Sequence, residues 1–393
     1  MKGFLGILLL IFLLGNTSAQ NYNRGNIKQK YYFETIPYKK INGLPVVQVT
    51  INGKQYNFLF DTGAMFTISD RLYKQINPPV VGKKGVGDVS GERRNMRIIK
   101  FPELHLQGIT FKNTHGIVLP ENAKFYECID VDGFIGSNML RNSVVHFDEQ
   151  NMQIIITNDI KNLSLKEYET QEMWLYGNQS RPSIVITLQK GENQVREKVI
   201  IDSGLADFLK LYLNNAKSYN NVVDIIAESE GSTNFGIHGM APKQKHLLLN
   251  IPKLIVGNLS INDVSTGTLY NFDSSIGAEL FEYGTVTLNF KKKQFCFRAY
   301  ENVNTDKLSK KADVIKFTIK NDKLVVGIIW DKALLSRVNL GDEVVNINGM
   351  DIQSWNQCQL YSLKGIPQIE RPYVELKDIN TKEIKIIEYR PME

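Results

Sequence analysis

The sequence predicts a mainly β protein made of two similar β lobes followed by a smaller α+β domain. Three observations lead to this prediction. Short apolar stretches alternate with polar residues from about residue 44 to about residue 300, a pattern typical of half-buried antiparallel strands. Four elements of the first half recur in the same order in the second half. A different pattern, with one short helix between two strands, follows residue 305.

Composition fits several globular domains and excludes some partners. The 393 residues are too many for one small domain, and 42% hydrophobic with 22% charged residues argues against a disordered chain. A net charge of +6 is small for this length, so we expect no nucleic acid as a partner. Three widely spaced cysteines and five histidines in no ligand spacing predict neither a disulfide framework nor a zinc site. We therefore expect no metal and no cofactor.

Residues 1–19 have the pattern of a secretory signal peptide. Lys2 precedes an apolar run over residues 4–14, and small residues follow as far as Ala19. The run is shorter than the roughly 20 residues that cross a bilayer, and no cysteine follows it as a lipid attachment point. We expect cleavage after Ala19, no stable membrane anchor, and export to the periplasm or the extracellular space.

The repeat places the remaining elements in order. Each half has a strand before an Asp-Thr/Ser-Gly tripeptide, a strand pair, a short element ending in Gly, and a last hairpin. Seventy-five residues separate Asp61 from Gly136, and the same number separates Asp202 from Gly277. We predict lobe 1 at 20–157, a linker at 158–180 and lobe 2 at 181–304. Helices are expected within 163–174 and 214–226.

The tripeptides are the candidate catalytic elements. Asp61, Thr62 and Gly63 follow three apolar residues, as do Asp202, Ser203 and Gly204. One such tripeptide is a weak signal, because an ordinary turn after a strand can carry it, but two at equivalent repeat positions are a strong one. A buried strand would bring each Asp to the lobe interface, and Gly lets the chain turn sharply there. The hydroxyls of Thr62 and Ser203 can bond across to the opposite lobe.

Two carboxyl groups held side by side suit proton transfer. Because like charges at short distance cannot both ionise easily, the pair is expected to share one proton and titrate as a unit. The ionised member can take a proton from a water that attacks an amide carbonyl, while the protonated member donates to the developing oxyanion. This chemistry requires neither a metal nor a covalent intermediate.

These motifs resemble those of the aspartic proteases. Residues 40–300 are similar to two retropepsin-like lobes in one chain, arranged as in the pepsins, with the two Asp-Thr/Ser-Gly tripeptides and the elements ending in Gly136 and Gly277. The resemblance implies that these two glycines lie in structural loops beneath the site. It also implies an aspartic-type endopeptidase that binds an extended polypeptide under a glycine-rich flap, with flaps at 83–94 and 231–240.

Lobe 2 departs from the family pattern in two places. Leu205-Ala206-Asp207 follows the second tripeptide where the family usually has Ala or Ser and then a small polar residue, and Ser275 stands where an apolar residue is usual. These departures leave an alternative open, namely a non-catalytic pseudoprotease that binds peptides in the cell envelope.

Residues 305–393 resemble a PDZ domain. An apolar strand over residues 324–329 precedes a short helix over residues 333–338, and the Leu-Gly-Asp phrase at 340–342 leads into a strand and an Asn-Gly turn. The resemblance implies capture of a peptide or protein terminus by strand addition. Residues 316–319 are expected in the carboxylate-binding loop, without the family's glycines. A purely structural role as a lid or spacer is the alternative.

Overall fold

Strands dominate the chain, as predicted. The computed structural model describes residues 22–88, 90–121, 123–163, 165, 170–232, 235–270, 272–363 and 372–392. The predicted signal peptide lies outside these residues. Within them, no helix is both long and apolar enough to cross a membrane.

The N-terminal unit begins with hairpins whose turns were visible in the sequence. Asn52 and Gly53 both have positive φ, 50° and 76°, as a two-residue hairpin turn requires. Ser69 caps the first helix by accepting the amide hydrogen of Leu72. The elements are β1 (Asn26–Ile27), β2 (Phe33–Ile41), β3 (Leu44–Ile51), β4 (Lys54–Asp61), β5 (Thr67–Ile68), α1 (Asp70–Ile76), β6 (Val80–Gly87), β7 (Arg93–Leu106), β8 (Ile109–Val118), α2 (Lys124–Cys128), β9 (Gly133–Gly136), α3 (Ser137–Leu140), β10 (Val144–Asp148) and β11 (Gln153–Thr157).

The central unit begins within the predicted linker, where a 3-10 helix (Ile160–Leu163) precedes two short strands. The helix expected at 163–174 is wrong for the described part of that stretch, because residues 171–172 pair with residues 294–295 and residue 174 begins another strand. The elements are β12 (Gln171–Glu172), β13 (Trp174–Tyr176), β14 (Arg181–Lys190), β15 (Asn193–Asp202), β16 (Leu209–Tyr212), α4 (Leu213–Ser218), β17 (Asp224–Gly231), β18 (Phe235–Gly236), β19 (Gly239–Met240), β20 (Gln244–Val256), β21 (Leu259–Leu269), β22 (Ser275–Gly277), β23 (Gly284–Asn289) and β24 (Gln294–Ala299), with 3-10 helices at Gly177–Gln179 and Ala278–Tyr283.

Corresponding strands of the two units pair in the same way. β4 runs parallel to β9, which places Asp61 beside Gly136, and β15 runs parallel to β22, which places Asp202 beside Gly277. β10 pairs antiparallel with β23, so one sheet continues from the N-terminal unit into the central unit. Buried side chains of both units form one hydrophobic core. Asp61 and Asp202, the last residues of β4 and β15, therefore lie at the junction of the two units.

The C-terminal unit has a sheet and a hydrophobic core of its own. Residues 316–319 lie in its edge strand rather than in a loop, so their expected place in a carboxylate-binding loop is wrong. The strand that contains them, residues 315–320, pairs with the strand at residues 323–329 through a tight hairpin. The elements are β25 (Ile315–Lys320), β26 (Lys323–Ile329), a 3-10 helix (Lys332–Ser336), β27 (Glu343–Ile347), β28 (Met350–Asp351), α5 (Gln357–Tyr361), β29 (Tyr373–Lys377) and β30 (Ile384–Glu388), preceded by a 3-10 helix at Asp306–Ser309.

The C-terminal unit contacts both other units. A disulfide joins Cys128 at the end of α2 to Cys358 in α5. The cysteine spacing predicted no disulfide framework, and this single bond corrects that expectation, because its two cysteines lie 230 residues apart and meet only where α5 packs on α2. On the other side, the Ser232 amide donates to the Gly327 carbonyl at 3.0 Å, so β26 lies against the end of β17.

Candidate active site

The two predicted aspartates meet where the N-terminal and central units join. Asp61 ends β4 and Asp202 ends β15, and their side chains lie in hydrogen-bonding contact. A Cβ on Gly63 would lie closer than 3.0 Å to the Asp202 carboxyl group, and a Cβ on Gly204 equally close to the Asp61 carboxyl group. Such contacts are essentially never observed, so the close approach of the two carboxyls requires glycine at both positions.

Hydroxyl groups beside the aspartates bond across the junction. The Thr62 hydroxyl donates to the Ile201 carbonyl at 2.6 Å and accepts the Ser203 amide at 3.0 Å. The Ser203 hydroxyl donates to the Phe60 carbonyl at 2.6 Å and accepts the Thr62 amide at 3.0 Å. Both side chains are fully buried. The four bonds tie the two aspartate loops to each other, so neither loop can shift without breaking buried hydrogen bonds.

Backbone amides orient the carboxyl groups. Asp61 Oδ1 accepts the amides of Gly63 and Ala64, both at 2.9 Å. Asp202 Oδ1 accepts the amide of Gly204 at 3.0 Å. Both aspartates line the cleft, where a water or an amide group can reach them.

Burial raises the pKa of both carboxyl groups. The charge of Asp202 raises the pKa of Asp61 further, to well above its usual value. The pKa of Asp202 is raised by burial and is held back by the Gly204 amide and by the positive charge of Arg181. Because the two carboxyls interact, they titrate as a pair, and the first to ionise raises the pKa of the other.

The predicted loop glycines lie directly beneath the two aspartate loops. A Cβ on Gly136 would overlap the backbone of Met65 and Phe66, and one on Gly277 would overlap the carbonyls of Leu205 and Asp207. A side chain at either position would push the overlying loop outward, which explains the glycine at the end of each short strand.

A cleft of about 780 Å³ opens above the aspartates. The β6–β7 hairpin, at the position predicted for the first flap, lines it together with the tip of the β18–β19 hairpin, within the stretch predicted for the second. The hairpins contact each other. The His238 amide donates to Asp88 Oδ2 at 2.8 Å, and His238 Nε2 lies 2.7 Å from the Val86 carbonyl. The two hairpins therefore meet across the cleft.

Sequence reasoning missed several residues of the cleft. Tyr126 lines it from α2, and burial raises the pKa of its hydroxyl. Gln179 donates to the Gly63 carbonyl at 3.2 Å. Arg181 lines the cleft and pairs with Asp273 at 3.0 Å. These residues belong to no repeated motif, and no pattern in the sequence indicates them.

The described residues contain no cluster of three or more His, Cys, Asp or Glu side chains that could hold a metal ion.

Comparison with known families agrees with this site. A family model described as "Aspartyl protease" matches residues 47–139, a stretch that contains Asp61, the β6–β7 hairpin and Gly136. No curated protein matches the chain. The match supports a general aspartic protease function and indicates an aspartic-type hydrolase with a retropepsin-like domain.

Proposed function

We propose that the protein is an exported aspartic endopeptidase whose dyad consists of Asp61 and Asp202. The observation that carries the proposal is the pair of contacting carboxyl groups, each with its own backbone donors and each bordered by a glycine. Thr62 and Ser203 support the dyad through their crossed hydrogen bonds.

The reaction follows from the asymmetry of the pair. Asp202, ionised in the one-proton state, takes a proton from a water held between the carboxyls, and the water oxygen attacks the amide carbon. Asp61 donates its proton to the carbonyl oxygen as charge develops there. Collapse of the tetrahedral species then breaks the C–N bond, the proton on Asp202 passes to the leaving amine, and one hydroxyl proton of the tetrahedral carbon returns to Asp61 as the product carboxyl group forms. Both carboxyls return to the one-proton state, so each turnover consumes only water.

The proposal includes two retropepsin-like lobes related by a local twofold axis. In the β10–β23 ladder, Val145 faces Leu288 and Phe147 faces Val286. Between these pairs His146 faces Thr287, with their side chains 2.9 Å apart. Since the sequence repeat aligns Val145 with Val286, this register is the one that a twofold axis through the central pair would produce. The matching parallel pairs at Asp61 and Asp202 support the same relation.

We also propose that residues 305–393 form a PDZ-like domain and that the chain is exported. The order of strand, 3-10 helix, strand and helix in the C-terminal unit supports the first part. β25 is the edge of its sheet, where a peptide or protein terminus would add as a strand. The Cys128–Cys358 disulfide supports export, because such bonds persist mainly in oxidising compartments.

A peptide cleavage assay tests the function. Residues 20–393 are incubated with a mixture of peptides between pH 3 and pH 8, and the products are identified by mass spectrometry. The Asp61→Asn and Asp202→Asn variants are assayed in parallel, with Asp207→Asn as a matched control on the same loop. We expect hydrolysis by the parent chain and the control, and none by the two dyad variants. Retention of peptides without any hydrolysis would instead indicate the pseudoprotease.

A further inference from the structure

Three basic side chains line the same part of the cleft. Lys84 lies in β6, Arg93 begins β7 and Arg181 begins β14, and all three line the cavity above the aspartates. Burial lowers the pKa of Lys84, and the charges of Arg93 and Arg181 lower it further. Lys84 therefore lies near both arginines.

Local structure turns two of these side chains toward the cleft. Side chains alternate along a strand, so Lys84 lines the cleft while its neighbour Lys83 does not. The same holds for Arg93 and its neighbour Arg94. A Cβ on Gly85 would lie 2.6 Å from Arg93 Nε, so this glycine makes room for the arginine to lie across β6.

Two of the three charges lack a carboxylate partner among the described residues. Arg181 pairs with Asp273, whose side chain is 56% exposed. Lys84 Nζ lies 3.9 Å from the centre of the Tyr22 ring, and neither it nor Arg93 forms an ion pair within the described chain. The nearby carboxylates are engaged, because Glu92 pairs with Arg94 at 2.6 Å and Asp88 accepts the His238 amide.

We propose that Lys84, Arg93 and Arg181 form a subsite that binds an acidic side chain of the polypeptide substrate. This inference rests on the proposed protease function and adds a substrate class to it. A carboxylate placed among the three side chains would supply the missing countercharge, and hydrogen bonds from guanidinium and ammonium groups to a carboxylate are stronger than neutral ones. Arg181 lines the same cavity as Asp61 and Asp202, so the subsite belongs to the cleft in which the scissile bond would lie.

The test compares peptides that differ only in Glu or Gln at successive positions around a cleaved bond. We expect one position at which Glu raises kcat/KM about tenfold over Gln, because a charge-assisted hydrogen bond contributes roughly 1.5 kcal/mol or more. The preference should fall in 0.5 M salt, since screening weakens exposed charges. The double variant Lys84→Met/Arg93→Gln should lose it, whereas the outward-facing control Lys83→Met/Arg94→Gln should keep it.

Two outcomes separate this inference from the proposed function. Cleavage with equal rates for Glu and Gln peptides at every position would overturn the subsite and leave the protease intact. If no peptide is cleaved, equilibrium binding of the same Glu and Gln pairs to the parent chain decides the matter. Tighter binding of a Glu peptide, lost in Lys84→Met/Arg93→Gln, would support the subsite without the protease. Equal binding would overturn the subsite as well.

Discussion

The crossed hydrogen bonds between the aspartate loops permit a quantitative prediction. Thr62→Ala removes the partner of two buried backbone groups, the Ile201 carbonyl and the Ser203 amide. Ser203→Ala removes the partner of the Phe60 carbonyl and the Thr62 amide. Each unsatisfied buried group costs about 1–3 kcal/mol. Each substitution should therefore lower the free energy of unfolding by about 2–6 kcal/mol, and the two losses should be similar.

Denaturant unfolding followed by fluorescence and circular dichroism measures these losses. Thr62→Ser keeps the hydroxyl and removes one methyl group, so we expect a loss of only about 1 kcal/mol. Ser183→Ala is a second control, because Ser183 is equally buried but its hydroxyl makes a single long bond of 3.4 Å. A loss below about 1 kcal/mol for either alanine variant at the junction would contradict this prediction. So would a loss from Thr62→Ala several times that from Ser203→Ala.

Three further predictions concern the dyad and the hairpins above it. Because the pKa of Asp61 is raised in the folded state, the folded protein loses stability as pH rises above the unfolded-state pKa of about 3.8. Asp61→Asn removes this loss, so its free energy of unfolding should exceed that of the parent at pH 7 but not below about pH 3.5. Urea unfolding at both pH values checks this, and an equal difference at both would contradict it. Arg181→Gln should raise the pKa of Asp202 and move the acid limb of the pH profile of kcat/KM to higher pH, while Arg181→Lys should leave the acid limb where the parent has it. An acid limb that does not move in Arg181→Gln would exclude an electrostatic effect of Arg181 on Asp202. Gly236→Ala should raise KM, because its Cβ would overlap the Asp88 carboxylate of the opposite hairpin. Gly87→Ala is the control, because a Cβ there meets only an ordinary contact at 3.6 Å. Equal KM values for the two variants would show that the contact between the hairpins is unimportant.

The aspartates could be found from the sequence because each carries its own local signal. The strand before Asp61, the tripeptide and the later glycine all lie within one unit, and the second unit repeats them. The sequence predicts Gly63 and Gly204 only as residues that let the chain turn. The structure requires glycine at both positions for a further reason, because each lies against the carboxyl group of the opposite loop.

Features that depend on contacts between distant segments could not be predicted. Cys128 and Cys358 form a bond only through the packing of α2 on α5. The sequence predicts a helix within 163–174, but residues 171–172 pair with β24 at the edge of the sheet that the two units share. Arg181 acts on Asp202 through space, and no spacing in the sequence indicates it.

Mixing two inactive variants tests whether one chain supplies both aspartates. Asp61→Asn and Asp202→Asn are purified separately, mixed in equal amounts, unfolded and refolded together, and assayed on the best peptide. The predicted result is that each variant alone and the mixture show no hydrolysis, while parent chain treated identically does. Hydrolysis by Asp202→Asn alone, or recovery of hydrolysis in the mixture, would mean that two chains build the site and would contradict a dyad within one chain.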